Sequence, residues 1–552
     1  MKYYLLKFFV FFSLVSFSQE TSFEITYQRS SNGKIIEKQD VLKVFATNNH
    51  VTLSTEKIEA NQAALPFEKT FIDTKDLSFY QVATLSTNKV ISYKDNEAIK
   101  NQKLELLQET KKILGYPCKK AKTIINSNTI EIWYTNELNI KASPTVLGVN
   151  LGLVLEITRN GNSTTQAIKI QKKKSKNTSN AKIENTVDVL TYKDLLWKSR
   201  FTTIPVFENE IISFSSEAKS NDSVIRFANG TIVLKKIKIP NQAKSNLAFL
   251  DLIEQSNGDA YDRTGSVFII PISNSKQTFL SGLEKGKEVL PIYQNGNGKK
   301  YQGVIATSTY EPLTELMRFF TPFGIKQYNH IQLKDKTWEE QVSYRQEITD
   351  VLQQYAGQEV WIGAFIGNYD KGGHKITMNV TLHSEDLPSK STKLFPLFNT
   401  TNVMEMAGQD YGTMFDVEKG LETKITLKES LKNAKIRYIT TGHGGWENGD
   451  EFVPKKNTIL VNGKEVFQFT PWRQDCGSYR LYNPASGNFP NGLSSSDYSR
   501  ANWCPGMVTT PTYIDLGDLP VGEYTIQVKI PQGKSEGGSF SAWNVSGILI
   551  GE

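Results

Sequence analysis

Three short polar stretches carry the side chains that could do chemistry. Residues 257–265 place two carboxylates and an arginine directly before an apolar run at 266–271. Residues 440–451 form a glycine-rich stretch with a histidine, a tryptophan and three carboxyl groups, and residues 499–507 combine an arginine, a tryptophan and a cysteine. Carboxylates can activate a water molecule, and an arginine can stabilise a developing negative charge. These residue types therefore suit hydrolysis by a pair of carboxylates.

Each stretch also has a structural interpretation, and the spacing leaves both open. Residues 257–265 resemble a turn closed by Asn or Asp side chains, which the residues alone favour over a catalytic role. Residues 440–451 equally suit a flexible polar loop. The tryptophan and cysteine of residues 499–507 equally suit packing and cross-linking.

Metal chemistry is disfavoured by the histidines. The chain has five of them, His50, His330, His374, His383 and His443. No two have the spacing of a ligand pair, so we assign no metal and no cofactor. His443 is interpreted as a loop residue near the substrate, with a structural role as the alternative.

The cysteines are interpreted from the expected compartment. The first 18 residues have the basic start, short apolar body and small-residue exit of a signal peptide, so we expect a secreted, periplasmic or cell-surface protein of a Gram-negative bacterium. In an oxidising compartment Cys476 and Cys504, which lie in one predicted domain, would pair. Cys118 would stay free, too far from the polar stretches to act as their nucleophile.

Short segments in which apolar and polar residues alternate predict an all-β chain of several domains. A run poor in apolar residues begins a linker at 172–205, which contains a brief helix at 187–197. A second boundary lies near residue 387, and residues 337–355 form the one other stretch with a helical pattern. The predicted divisions are 1–18, 19–171, 172–205, 206–386 and 387–552.

Charge and hydropathy bear on the partners. The net charge of +7 is spread over 552 residues, and its densest run, residues 172–176, is typical of a solvated linker. We therefore expect no nucleic-acid partner. Because no stretch is long and apolar enough for a membrane helix, we also expect no integral membrane span. The sequence says nothing of the oligomeric state.

Several of these segments resemble the peptide-N-glycosidase F family. The resemblance extends from about Val206 to the C-terminus, and its most specific part is the run 502–507 after Arg500. It implies an all-β fold of two adjacent eight-stranded antiparallel jelly-roll β-sandwiches with the active site in the cleft between them. It also implies an amidase that takes N-glycosylated proteins and glycopeptides as substrates. The other matching segments are Asp262-Arg263, residues 318–324 and residues 442–444, which lead to Glu451.

The resemblance implies roles for individual residues. Asp262 matches the primary catalytic aspartate, Glu451 matches a second essential carboxylate, and Arg500 and Trp503 match residues that line this centre. We assign to Arg500 the role of fixing Asp262 by a charge-assisted hydrogen bond. The residues assigned to substrate binding are Tyr261, Arg263, Gly363, His443, Trp446 and Trp503.

Two departures from the family pattern bear on specificity. Tyr261 stands where the family usually has a tryptophan, a mild change because either ring can pack on a sugar. The predicted strand 360–366 lacks the family's third acidic residue. Small residues at Gly363 and Ala364 would leave room beside the first N-acetylglucosamine, which predicts tolerance of a core α1,3-fucose.

The amino-terminal part resembles a different family, the GLPGLI domains of Bacteroidetes. The resemblance is carried by residues 113–121, which include Cys118, and by residues 133–135 and 147–157. It implies a mainly antiparallel β accessory domain without catalytic residues of its own.

Two other functions remain open at the level of sequence. A glycosidase with two carboxylates would release a free sugar and leave the asparagine intact. A non-catalytic carbohydrate-binding surface protein would return a bound glycopeptide unchanged, since jelly rolls are shared with lectins.

Overall fold

The computed structural model describes residues 21–37, 39–174, 185–328, 331–383, 392–401, 403, 412–444, 449–486, 492–534 and 541–552. The chain divides into two compact units, Met1–Arg200 and Phe201–Glu552. The predicted signal peptide lies outside the described residues. Among the residues described, no helix is long and apolar enough to cross a membrane.

The first unit is built on one twelve-stranded antiparallel sheet, in which β1 and β12 pair at the centre. Its strands are β1 Thr21–Ser31, β2 Lys34–Ile35, β3 Leu42–Ala46, β4 His50–Thr55, β5 Phe67–Asp73, β6 Ser78–Ser86, β7 Lys89–Asp95, β8 Glu105–Ile113, β9 Tyr116–Ile125, β10 Asn128–Thr135, β11 Leu153–Arg159 and β12 Ser163–Lys174. Its helices are α1 Glu56–Glu59 and α2 Val189–Lys198.

Helix α2 begins at a capped end and packs on the first unit. The Asp188 carboxylate accepts hydrogen bonds from the backbone N–H groups of Leu190 and Thr191. The buried Tyr192 ring lies 4.8 Å from the ring of Tyr93, and its hydroxyl is hydrogen-bonded to Glu68. The brief helix expected at 187–197 is therefore present, and the buried Tyr192 side chain packs it against the first unit.

The second unit starts with the strands of one β-sandwich, among which four short strands between residues 277 and 311 form two separate two-stranded sheets. The strands are β13 Phe201–Ile212, β14 Ile225–Phe227, β15 Ile232–Lys238, β16 Leu247–Ser256, β17 Thr264–Pro271, β18 Gln277–Thr278, β19 Ile292–Tyr293, β20 Tyr301–Gln302, β21 Tyr310–Glu311, β22 Thr314–Phe320, β23 Val342–Glu347, β24 Glu359–Ile366 and β25 His374–His383. Two short helices, α3 Phe279–Lys285 and α4 Thr349–Leu352, accompany them.

A second sandwich follows in the chain. Its strands are β26 Lys393–Asn399, β27 Leu421–Leu427, β28 Leu431–His443, β29 Asn457–Val461, β30 Lys464–Phe469, β31 Val508–Thr509, β32 Thr512–Leu519, β33 Gly522–Lys529 and β34 Ala542–Gly551. Apart from β31 they form two four-stranded sheets, β26-β34-β28-β32 and β27-β33-β29-β30. Leu421, Ile436, Ile459 and Val545 are buried between these sheets.

The first sandwich packs a four-stranded sheet, β13-β25-β16-β23, against a six-stranded sheet, β14-β15-β24-β17-β22-β31. Leu250, Val267, Ile362 and Ile376 lie in the core between them. The other face of the six-stranded sheet is also apolar, and Phe268 packs there in a second cluster with residues of α3. The predicted all-β class is confirmed, because antiparallel sheets dominate both units.

The predicted helix at 337–355 is wrong over most of its length. Residues Val342–Glu347 form strand β23, which pairs with β16. Val342, Tyr344 and Gln346 are buried while the residues between them are exposed. This two-residue period matches the pleat of a strand, and burial on the sandwich decides the structure over helix propensity.

The two sandwiches share a buried polar contact. Arg318 on β22 is fully buried and forms an ion pair of 2.7 Å with Glu315. Its guanidinium also donates to the carbonyl oxygen of Asn544 and, at 3.1 Å, to the hydroxyl of Thr441. Because a buried charge is costly unless its hydrogen-bonding groups are satisfied, these hydrogen bonds across the boundary favour one arrangement of the sandwiches.

The second sandwich also completes a sheet of the first. Strand β31 adds to the edge of β22, where Arg318 faces Thr509 and Phe319 faces Val508. The paired edge brings the chain that precedes β31 alongside the loop that follows β16.

Candidate active site

Asp262 lies in the loop between β16 and β17. Thr321, just after β22, holds this loop from both sides of Asp262. Its backbone N–H donates to the carbonyl of Arg263 at 3.0 Å, and its hydroxyl accepts from the Arg263 N–H at 2.9 Å. The same hydroxyl lies 3.3 Å from the carbonyl oxygen of Tyr261. The backbone on either side of Asp262 is therefore fixed to the sheet, while its side chain stays 16% exposed.

Glu451 is held by the chain that carries Arg500 and by its own neighbour. The N–H of Ala501 donates to the Glu451 carbonyl at 2.9 Å. Asp450 is fully buried, and its carboxylate accepts hydrogen bonds from the Trp543 indole at 2.8 Å and from the Gly533 N–H. Asp450 therefore anchors the loop, and the Glu451 side chain is left to face Arg500.

Arg500 is fixed through its backbone and its side chain. Its N–H and C=O pair with those of Arg473 at 2.9 and 2.8 Å. The guanidinium donates to the Ser495 carbonyl oxygen at 3.2 Å and to the Ser495 hydroxyl. Asn502, at a φ of 69°, turns the chain so that the Trp503 ring lies 4.4 Å from the Arg500 Cζ. These contacts leave little freedom to a side chain that is 2% exposed.

One guanidinium nitrogen brings the two carboxylates together. Nη1 of Arg500 lies 3.5 Å from Oδ2 of Asp262 and in direct hydrogen-bond contact with Oε1 of Glu451. Asp262 comes from the first sandwich, and the other two residues come from the second. The predicted partner of Arg500 was Asp262, but its closer contact is Glu451.

Burial dominates the electrostatics of this pair. Burial raises the pKa of the Glu451 carboxyl to about 7, and the Asp262 charge adds to the rise against the opposing effect of Arg500. Burial likewise raises the pKa of Asp262 above its ordinary value, although Arg500 and Arg263 both act to lower it. Two carboxylates this close to one cation behave as a pair that retains a proton towards neutral pH.

Trp503 supports the site by packing against the Arg500 guanidinium. Its ring stacks on Phe320 at 4.3 Å, its indole N–H donates to the Gly442 carbonyl, and it is only 4% exposed. The prediction that Trp503 binds substrate is therefore not supported by its burial, because the ring has little surface to offer a sugar. Its contact with Arg500 gives it a positioning role instead.

A disulfide cross-links the chain next to the site. Cys476 is bonded to Cys504, next to Trp503, as the sequence predicted. Cys118 is free and buried in the first unit. A bridge with this sequence separation of 28 stabilises a fold by about 3–4 kcal/mol on the loop-entropy estimate.

His443 lies at the rim of the site in its neutral form. Burial, with the charges of Arg318 and Arg500, lowers its pKa to about 3. Its Nε2 is 2.8 Å from the Thr441 hydroxyl, and its ring stacks near Trp503. Trp446, the other predicted binding residue in this loop, lies outside the described residues.

Tyr261 and Arg263 flank Asp262 at the surface. The Tyr261 ring is 61% exposed, and the Arg263 Cζ lies 5.2 Å from its centroid. A groove of about 510 Å³ runs beside the loop and is lined by Tyr261, Phe323 and Tyr328, among others. An exposed aromatic ring next to a carboxylate is suited to stacking on a sugar.

Gly363 is placed differently from the expectation. It lies on β24 and faces the second apolar cluster, where an added Cβ would come within 2.4 Å of the Phe268 ring and 2.5 Å of Leu234. Ala364 points to the opposite face and is buried in the sandwich core. The prediction that these small residues open space beside the first sugar is therefore wrong, because both neighbouring volumes are filled.

Ser495, Phe320 and Thr321 are supporting residues that sequence reasoning did not assign. Phe320 and Thr321 belong to the run 318–324, which stood out only through the family resemblance. Ser495 lies five residues before Arg500 and carried no signal of its own. Among the described residues, no group of three His, Cys, Asp or Glu side chains is arranged to hold a metal ion.

Three family models match most of this chain. The model described as "Peptide-N-glycosidase F, N terminal" matches residues 203–382, and "Peptide-N-glycosidase F, C terminal" matches residues 410–550. The first unit matches "N-glycanase peptide, N-terminal domain" over residues 25–194. A comparison with curated protein sequences finds no match.

Two solved structures are similar over nearly the whole chain. PNGF-II in space group C2 is 53% identical with a TM-score of 0.88, and the match covers 96% of this chain and 98% of that one. PNGF-II in space group P21 is also 53% identical, with a TM-score of 0.90 over 96% and 99% of the two chains. This chain belongs to the peptide-N-glycosidase F family. It is an N-glycanase, an amide hydrolase that acts on the glycan–asparagine linkage of glycoproteins. The likeness of the first unit to GLPGLI domains stays a prediction.

Glu451→Gln is expected to change how the N-glycanase's stability depends on pH. The folded carboxyl has a pKa of about 7 against an ordinary 4.5, so its ionisation costs folding energy and stability falls as pH rises through this interval. The variant lacks this loss. Its free energy of unfolding relative to wild type should therefore increase from pH 4.5 to 7 and then stay level, as measured by urea unfolding.

Glu523→Gln is the matched control, since that side chain is exposed on β33. It should show no such change. A pH-independent difference between Glu451→Gln and wild type would contradict the raised pKa.

Proposed function

We propose that the chain hydrolyses the asparagine side-chain amide of N-glycoproteins, releases the intact glycan as a glycosylamine and leaves aspartate. The observation that carries this proposal is the contact of one Arg500 nitrogen with carboxylates from both sandwiches. Asp262 and Glu451 remain 16% and 17% exposed, so a substrate amide and a water molecule can reach them.

In the proposed reaction Asp262 acts as the base. It takes a proton from the water whose oxygen bonds to the amide carbon, and the carbon–nitrogen bond then breaks. The proton passes to the departing nitrogen, which leaves as the glycosylamine. Asp262 suits this role because its partly exposed carboxylate lies in the same loop as the exposed Tyr261 ring.

Glu451 orients the amide in this scheme. Because its pKa is raised to about 7, it can keep a proton near neutral pH and donate a hydrogen bond to the amide oxygen as negative charge develops there. Arg500 holds both acids in place and limits the repulsion between them. The pair thus divides into one base and one hydrogen-bond donor.

Asp262→Asn should lower kcat at least about 100-fold, because general-base catalysis is lost. Mass spectrometry of an N-glycopeptide after incubation measures both rate and reaction type. Wild type should produce a peptide slightly heavier than the corresponding asparagine peptide, since an amide has become an acid, together with an intact glycan.

Asp515→Asn, an exposed carboxylate on β32, is the matched control and should keep wild-type activity. Release of a free sugar with asparagine retained would indicate a glycosidase instead. Binding without any product would indicate a carbohydrate-binding protein. Full activity of Asp262→Asn would contradict the assigned base.

We also propose that a core α1,3-fucose is accepted. The support for this is the lack of an acidic side chain in β24 between residues 360 and 366, where the resemblance places the family's third acid. The space at Gly363 gives no support, because Phe268 and Leu234 fill it.

Paired glycopeptides that differ only in the core α1,3-fucose test this second proposal. We expect release from both, with kcat/KM for the fucosylated substrate within about tenfold of the other, a difference of about 1.4 kcal/mol. Release from the unfucosylated substrate alone would overturn it, while leaving the amidase proposal intact.

We further propose that the mature chain is exported. The Cys476–Cys504 bond supports this, because disulfides form and persist in oxidising compartments. Expression of the full chain in a Gram-negative host, followed by amino-terminal sequencing of the periplasmic and extracellular protein, should give a start at Gln19. Recovery of only the uncleaved chain in the cytoplasm would contradict export.

A further inference from the structure

A buried charge cluster lies behind the loop that carries Asp262. His374, the first residue of β25, is fully buried between two acidic residues. Its Nδ1 is 2.8 Å from the Glu254 carboxylate on β16, and its Nε2 is 3.3 Å from the Asp259 carboxylate. Glu254 and Asp259 are themselves 0% and 2% exposed.

The cluster continues from Asp259 to both neighbours of Asp262. The Arg263 guanidinium donates to the two Asp259 oxygens at 2.6 and 3.0 Å. The backbone N–H of Tyr261 donates to the same carboxylate at 3.2 Å. One buried acid thus holds the residue before Asp262 and the residue after it, and together with Thr321 it sets the position of the loop.

Charge balance favours a second cation besides Arg263, at position 374. Two carboxylates buried this deeply are costly unless each is paired, and His374 contacts both. The second oxygen of Glu254 has no hydrogen-bond partner among the described residues, which leaves the imidazole as the main support of that charge. Both ring nitrogens face carboxylate oxygens, so both are placed to donate a proton.

We propose that His374, as an imidazolium, is a positioning residue of the catalytic loop: it holds Asp259, which holds Arg263 and Tyr261 around Asp262. His374 does not touch the substrate in this scheme. The proposal rests on the proposed role of Asp262 and adds a residue that the reaction itself does not use.

The cluster has a defined pH range. Burial acts to lower the pKa of His374, but the hydrogen bonds to Asp259 and Glu254 outweigh it and raise the pKa to about 9. A histidine with a raised pKa contributes its full stabilisation below its ordinary pKa of 6.5, and this is lost as pH rises through 9. The other titratable groups around it are Tyr344 on β23 and Asp370 in the preceding loop.

His374→Gln tests the proposal, because glutamine keeps a donor but removes the charge. We expect kcat to fall about 10- to 100-fold, since small displacements of a catalytic group have effects of this size, while KM stays near the wild-type value. Besides the decline near pH 7 expected from ionisation of Glu451, the wild-type kcat should decline further as pH rises through about 9, and the variant should lack this second decline.

Three further variants keep this test decisive. His374→Gln with Glu254→Gln removes the orphaned buried acid, so stability should recover while kcat stays low, because Asp259 keeps Arg263 but still lacks the charged donor at position 374. His383→Gln, at the other end of β25, is the matched control and should leave kcat unchanged. Asp262→Asn checks the proposed function separately, since its loss of activity does not depend on His374.

NMR of the protein with labelled histidine gives a readout independent of activity. The resonance that disappears in His374→Gln should report an imidazolium at pH 7.5. A neutral imidazole at that pH would overturn the proposal. So would wild-type kcat and pH dependence in a folded His374→Gln variant whose Asp262→Asn counterpart is inactive.

Discussion

The hydrogen bonds that cross between the sandwiches at the buried Arg318–Glu315 pair are the constraint on which the site depends. Arg318 stands on the first sandwich and donates to Thr441 and Asn544 of the second. Arg437 of the second sandwich in turn donates to the Glu315 carbonyl at 2.8 Å. Because full burial makes each unpaired charge costly, the sandwiches meet in a single register. That register sets where each half of the catalytic pair must lie.

The site shows how two acids can share one cation. Arg500 satisfies part of each carboxylate but cannot neutralise both, and burial makes two full negative charges unfavourable. The outcome is a pair in which burial raises the pKa of both carboxyls, that of Glu451 to about 7. Trp503 and Ser495 fix the position of the guanidinium, so the fold establishes this arrangement of charges before substrate binds.

The sequence predicts local features of the chain and misses features that arise only when distant segments pack together. The alternation of apolar and polar residues was sufficient to predict the all-β class. The family resemblance was sufficient to assign Asp262, Glu451 and Arg500 to one site. The sequence could not show that Gly363 faces a filled apolar cluster, because a strand that is buried on both faces has no polar side from which its orientation can be predicted. Ser495 was missed for another reason: its role arises from a fold-back of the chain that no spacing rule encodes.

Strand β31 has a consequence for how this enzyme can be divided. It is part of the second sandwich by sequence but completes a sheet of the first, through Val508 and Thr509. A fragment that stopped at the boundary between the sandwiches would bare the edge of β22, whose seven residues are all buried in the whole chain. Exposed apolar edges recruit other chains, so the two halves are expected to have been inherited together rather than exchanged as separate modules.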